Sequence, residues 1–205
     1  MIFTISNILT IIRIILVPIF LLLYFSDSYL LQIIGTLCFI AGAITDHYDG
    51  KLARRRQEIT EFGRFWDPLA DKFLTLSAFI AIWYREDFHF FSNLVIIYIL
   101  VIAIRELGVT FLRLWGVSKD KPLITSLWGK LKTTFQLIAI IFALVYFNAR
   151  DILRELQYRI AYIDDIHVLP VIHYLILLSM IVTVLSGALY IRPASFERKR
   201  ELADG

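Results

Sequence analysis

Four aspartates in the stretch DHYDGKLARRRQEITEFGRFWDPLAD, from Asp46 to Asp71, stand at spacings that could build one oxygen-lined pocket. If both halves are helical, at about 3.6 residues per turn, Asp46, Asp49, Gly50, Ala53 and Arg54 share one face, with Arg54 at its edge. Gly63, Asp67 and Asp71 follow one another at helical i, i+4 spacing and share a second face. Turned together, the two faces gather four carboxylates, one arginine and three small residues. Carboxylates that close repel each other and are costly near hydrocarbon, so the arrangement makes sense only if cations fill it. An all-oxygen set with no cysteine or paired histidine selects hard divalent ions such as Mg²⁺ or Mn²⁺, whose coordination substrate phosphates usually complete. The small residues admit a bulky anion, and Arg54 can clamp a phosphate through its planar fork. The chemistry these residues suit is that of a diphosphate at a membrane surface.

A plainer reading takes the stretch as a charged loop with helix caps. Asp67 before Pro68 resembles an N-cap followed by proline at the first helical position, and Arg54 to Arg56 would serve as topology charges. That reading accounts for Arg55, Arg56, Glu58 and Glu61, but not for two aligned faces of aspartate and small residues.

The elements that must hold the pocket are membrane helices. The chain has 205 residues, 59% of them hydrophobic and 15% aromatic, well above the roughly half-apolar make-up of soluble domains. Four runs lack Asp, Glu, Lys and Arg: Tyr29 to Thr45, Phe88 to Ile104, Thr133 to Ala149 and His167 to Ile191, each near the roughly 20 residues a helix needs to cross a bilayer. Two further spans carry charge: Ile2 to Phe25 contains Arg13, and Phe73 to Tyr84 is long enough only if its helix also includes Asp67 to Lys72. Continuous apolar runs of this kind do not resemble the short alternating segments of a barrel. The expectation is an all-α integral membrane protein of six transmembrane helices, near 7–26, 29–54, 61–85, 91–114, 126–149 and 167–191. The sequence leaves open whether Ile2 to Arg13 forms an N-terminal interfacial segment ahead of the first span. Residues 1–191 then form one domain, and 192–205 a basic cytoplasmic tail that breaks at Pro193. Ile152, Leu153, Leu156 and Ile160 recur at helical spacing, suggesting a short interfacial helix between the last two spans.

Of the 21 Lys and Arg residues, 16 fall on one side of such a bundle and four (Arg85, Arg150, Arg154, Arg159) on the other, with Arg105 near a helix end. The positive-inside rule puts both termini and the aspartate stretch in the cytoplasm. The net charge of +3 follows from that topology and suits anionic lipid, so no nucleic-acid partner is expected. The single cysteine, Cys38, excludes an intrachain disulfide. The N-terminus lacks the pattern of a removed signal peptide.

Asp46, Asp49, Gly50, Ala53, Arg54, Gly63, Asp67 and Asp71 fit, without a gap, the pattern D-x2-D-G-x2-A-R-x8-G-x3-D-x3-D. In this the chain resembles the CDP-alcohol phosphotransferases. The resemblance implies a six-helix membrane fold, usually homodimeric. It also implies two divalent ions held by Asp46, Asp49, Asp67 and Asp71, with Asp71 acting as base and Gly50, Ala53, Arg54 and Gly63 lining the CDP site. The flanks NILTIIRIILVPIF, DPLADK, IRELGVTFLR, GKLKTTFQ and SGALYI resemble the bacterial members that make phosphatidylglycerophosphate and CMP from CDP-diacylglycerol and glycerol 3-phosphate. A departure is His47, where many members carry an aromatic residue; it lies off the motif face with Tyr48 and leaves the metal assignment intact.

An acceptor that is a phosphate dianion needs basic groups distinct from Arg54, and Arg105, Arg113, Lys130 and Lys132 sit at the cytoplasmic ends of the fourth and fifth helices. Arg105 leads, being embedded in an apolar helix, although an Arg105–Glu106 structural pair explains it equally well. The other three also serve as topology charges. Asn7 and Thr10, one turn apart with Arg13 continuing the face, could contact the CDP headgroup or could cap and snorkel. The rival enzymes are the cardiolipin synthases of the same family, whose acceptor is phosphatidylglycerol, and the inositol-phosphate and serine enzymes. A rival of another class, a non-enzymatic cation-binding protein or transporter, predicts acidic groups along a path to the bilayer centre, whereas these aspartates cluster at one edge.

Overall fold

The computed structural model describes residues 5–56, 61–85, 92–117, 127–156 and 165–203. They form six helices and, among the described residues, no strand: α1 (Ile5–Tyr24), α2 (Tyr29–Arg56), α3 (Glu61–Trp83), α4 (Ser92–Val117), α5 (Leu127–Glu155) and α6 (Asp165–Ala203). Four contain stretches long and apolar enough to cross a membrane, at Asn7–Tyr24, Asn93–Leu112, Leu131–Glu155 and Val168–Ala188, and α2 adds a shorter apolar piece, Tyr29–Thr45. The chain is an all-α integral membrane protein. α1 packs on α2 and α3, α3 on α4 and α5, and α6 closes the bundle against α4 and α5.

Burial follows the demands of lipid. Along α4, Leu94, Ile97, Leu100 and Ile104 face outward, while Val95, Ile99, Ile102 and Glu106 are buried. Along α6, Ile172, Ile176, Ser179, Thr183 and Ser186 are buried at helical spacing, and Val171, Leu178 and Leu185 point away. Outward apolar side chains satisfy hydrocarbon, and the polar ones turn inward where they can find partners. The interior is therefore layered. One half is an apolar core containing Phe20, Phe39, Phe79, Ile82, Leu144 and Phe147. The other half, at the N-terminal ends of α1, α3 and α5, buries Asn7, Thr10, Arg13, Lys132 and Gln136.

α1 and α2 approach closely where Gly35 meets the last turn of α1: a Cβ there would lie 3.1 Å from the Tyr24 backbone nitrogen and 3.3 Å from the Phe20 carbonyl oxygen. At the opposite end of the core from the polar half, Arg85 donates to Asp151 at 2.5 Å and to Gln32 at 3.4 Å. Its guanidinium also lies over the rings of Phe147 (5.0 Å) and Tyr24 (5.8 Å), tying together α1, α2, α5 and the end of α3.

α3 begins at Glu61, as the helix expected near 61–85 requires, and Pro68 lies inside it, against the plainer reading of a cap at Asp67. Asp67 is therefore an interior helical residue and not an N-cap, and Pro68 cannot donate to the carbonyl of residue 64. On the segment up to Arg13, which the sequence leaves open, α1 is one continuous helix from Ile5 and Arg13 is buried by its neighbours. α6 runs through Pro193 to Ala203, where the sequence suggests a break. In the region of the expected interfacial helix, α5 continues to Glu155, and residues 157–164 lie outside the described ones.

Candidate active site

At about 1.5 Å per residue, the 17-residue apolar piece of α2 spans about 25 Å before Asp46 is reached. The Asp46 to Arg54 register thus falls at the end of the apolar run, near one edge of a hydrocarbon layer roughly 30 Å thick. α2 is helical through this register, as the one-face spacing requires. The side chains of Asp46, Asp49, Gly50, Ala53 and Arg54 lie outside the described residues, as do those of Arg113 and Lys130.

The described half of the carboxylate set is on α3. Gly63 is buried, and Asp67 and Asp71 are both half-buried one helical turn apart. The Thr10 hydroxyl of α1 donates to Asp67 Oδ1. Thr10 is fully buried and Asn7 nearly so, one turn earlier on the same helix. A threonine expected at the CDP headgroup therefore touches one of the expected metal carboxylates. Two half-buried carboxylates with a hydroxyl behind one of them form an oxygen-only donor set, which fits a hard divalent ion.

Beside this carboxylate pole stands a cationic one. Lys72 donates to Asp71 Oδ2 and lies 3.6 Å from Glu106 Oε2 on α4. Glu106 is 2% exposed; its Oε1 also meets Lys132 of α5 at 2.5 Å and Arg105 at 3.6 Å. Gln136 Nε2 donates to Glu106 at 3.3 Å and to Thr183 of α6 at 3.0 Å. Arg105 Nη2 donates to Ser186 at 2.6 Å. Gly187 leaves room for the arginine, since a Cβ there would sit 2.9 Å from Arg105 Nε.

Of the four basic residues singled out from the sequence, Arg105 and Lys132 converge on one carboxylate. Lys72, Gln136, Thr183, Ser186 and the hub role of Glu106 escaped sequence reasoning. The signal was present: Glu106 and Gln136 are strongly polar residues within or beside apolar runs, and such residues mark functional sites in membranes.

The sequence model for CDP-alcohol phosphatidyltransferases matches residues 3–186. The chain belongs to that family. Members of this CDP-alcohol phosphatidyltransferase family generally use divalent metal ions, in keeping with the oxygen donors on α3. Among similar proteins is one from Wigglesworthia glossinidia brevipalpis named CDP-diacylglycerol–glycerol-3-phosphate 3-phosphatidyltransferase, 38% identical over 134 residues, which are 64% of this chain and 71% of the relative. A Mycoplasma pneumoniae protein of the same name is 36% identical over 115 residues, 56% of this chain. A probable phosphatidylglycerophosphate synthase of Mycobacterium tuberculosis is 40% identical over 139 residues, 66% of this chain. The matches span 48% of the Mycoplasma relative and 63% of the mycobacterial one.

Proposed function

We propose that this protein transfers the phosphatidyl group of CDP-diacylglycerol to glycerol 3-phosphate, giving phosphatidylglycerophosphate and CMP. The supporting observation is that one helix, α3, carries both poles such a reaction needs: Asp71 ends the carboxylate pole, and its neighbour Lys72 reaches Glu106 in the cationic pole. A phosphate-bearing acceptor anchored among Lys72, Arg105 and Lys132 would have its hydroxyl beside Asp71. The relatives' names point to the same pair of substrates.

In this reading Asp71 takes the proton of the acceptor hydroxyl, the freed oxygen bonds to the phosphorus bearing the lipid, and the bond to the CMP oxygen breaks. Two Mg²⁺ or Mn²⁺ ions, held by Asp46, Asp49, Asp67 and Asp71, would neutralise the diphosphate. Gly50, Ala53, Arg54, Gly63, Asn7 and Thr10 would line the CDP-lipid site, with Thr10 also orienting Asp67. Arg105 and Lys132 would bind the acceptor phosphate, joined by Arg113 and Lys130 from the same helix ends.

Residues 1–191 act as one six-span domain and 192–205 as a basic tail. Active site and termini face the cytoplasm of a bacterial inner membrane, and the working unit is a homodimer. The test is CMP release by purified protein supplied with CDP-diacylglycerol and Mg²⁺. Release should begin only when glycerol 3-phosphate is added and should stop when the metal is chelated; release that ignores either addition contradicts the proposal.

A further inference from the structure

Asp71 and Lys72 are neighbours on α3, and the Lys72 ammonium group donates to Asp71 Oδ2 while lying 3.6 Å from Glu106 Oε2 of α4. The Lys72 side chain is 13% exposed and that of Asp71 21%. Glu106 does not depend on Lys72 for a partner, because Lys132 meets its other oxygen at 2.5 Å and Gln136 donates to that oxygen at 3.3 Å. Asp71 does depend on it. Among the described residues, Lys72 is the side chain bonded to the Asp71 carboxylate, whereas Thr75 reaches the Asp71 main-chain carbonyl, at 3.1 Å. Oδ2 is thereby engaged, and Oδ1 accepts no hydrogen bond among the described residues.

Consecutive residues of a helix point in different directions, so Lys72 must fold its stem back to reach Asp71. On an open surface such a contact would be transient and worth little. Here the far side of the ammonium group meets a buried carboxylate on another helix, which limits where it can sit. The last torsion of an aspartate is broad and roughly two-fold, so an unheld carboxylate sweeps a wide arc. A base works only within hydrogen-bond reach of the proton it takes, and a misplacement of about 1 Å can cost roughly 100-fold in rate.

We infer that Lys72, steadied by Glu106, is a positioning residue that holds the Asp71 carboxylate by Oδ2 and so keeps Oδ1 turned toward the reacting groups. The inference rests on Asp71 serving as base in the transfer reaction proposed above. It gives Lys72 a task in the proton-transfer step that is separate from any contact with the acceptor's phosphate.

The test compares turnover by the wild type, Lys72→Met, Lys72→Gln and Lys72→Arg at saturating Mg²⁺ and CDP-diacylglycerol. A contact between Lys72 and the acceptor raises the acceptor KM in either case, so kcat at saturating acceptor decides. Lys72→Met should lower kcat roughly tenfold or more, with a melting temperature close to that of the wild type. Lys72→Arg, which keeps a cation in reach of Asp71, should recover most of the loss. In single-turnover assays with excess protein, adding Lys72→Met to Asp71→Asn should cost no further rate, because the lysine acts through the carboxylate.

An unchanged kcat in Lys72→Met, an arginine variant no better than the methionine one, or losses that multiply in the double variant would each overturn the inference. If Lys72→Met does not fold, Lys72→Gln carries the same comparison. Each assay uses whichever acceptor the wild type turns over, which separates this claim from the reaction. Turnover of phosphatidylglycerol instead of glycerol 3-phosphate, with kcat still dependent on Lys72, contradicts the reaction and keeps the positioning role. Turnover of glycerol 3-phosphate with kcat indifferent to Lys72 keeps the reaction and removes the role.

Discussion

Lys72 of α3 and Glu106 of α4 face each other at 3.6 Å, and the same ammonium group donates to Asp71. This one side chain links the carboxylate pole of the motif to a buried cationic cluster assembled by three other helices. Charge separation of this kind inside a membrane protein persists only where partners are fixed, and Lys72, Arg105, Lys132 and Glu106 each have one.

Asp71→Asn preserves size and most packing but removes the proposed base. Turnover should fall by roughly 100-fold or more, with the melting temperature in detergent near that of the wild type. Full activity in this variant would remove Asp71 from the chemistry.

Thr10→Val deletes the hydroxyl that donates to Asp67 while keeping the side chain's shape. Loss of such a supporting bond typically weakens metal binding by about 10- to 100-fold. The Mg²⁺ concentration giving half-maximal CMP release should rise accordingly, and saturating Mg²⁺ should restore most of the rate. An unchanged Mg²⁺ titration would confine Thr10 to packing or to the CDP headgroup.

Gly187→Ala introduces a methyl group 2.9 Å from Arg105 Nε. The guanidinium must move, and its bond to Ser186 with it. The KM for glycerol 3-phosphate should rise several-fold with little change in the KM for CDP-diacylglycerol; parallel changes in both would mean that Arg105 does not serve the acceptor.

Arg85→Ala removes the tie at the far end of the bundle, with its bond to Asp151 and its contacts over Phe147 and Tyr24. The cost should be about 2 kcal/mol, read as a lower melting temperature, while both KM values stay put because the cluster lies outside the site. A variant as stable as the wild type would show that the tie contributes nothing measurable.

Much of this architecture is legible in the sequence, for physical reasons that differ by element. Charge-free runs mark α4, α5 and α6 because lipid tolerates little else, and the aspartate spacing marks the faces of α2 and α3 because helical repeat is fixed. The start of α3 is legible as well: the helix expected near 61–85 begins at Glu61 and absorbs Pro68, which by itself suggests only a cap at Asp67. The end of α6 is less so, because Pro193 suggests a break and the helix runs through it. The cationic cluster was legible only in part. Arg105 and Lys132 stood out as charges at apolar helix ends, but nothing local in a sequence says that Glu106, Gln136 and Thr183 meet across three helices. Such meetings are fixed by packing between distant segments, and a sequence carries them only as isolated polar residues in apolar surroundings.

The most direct measurement of the central claim is an acceptor panel in proteoliposomes containing CDP-diacylglycerol and Mg²⁺, with glycerol 3-phosphate, phosphatidylglycerol, inositol phosphate and serine offered one at a time. Glycerol 3-phosphate alone should yield CMP and phosphatidylglycerophosphate in equal amounts. CMP release driven by phosphatidylglycerol or another member of the panel, with none from glycerol 3-phosphate, would contradict it.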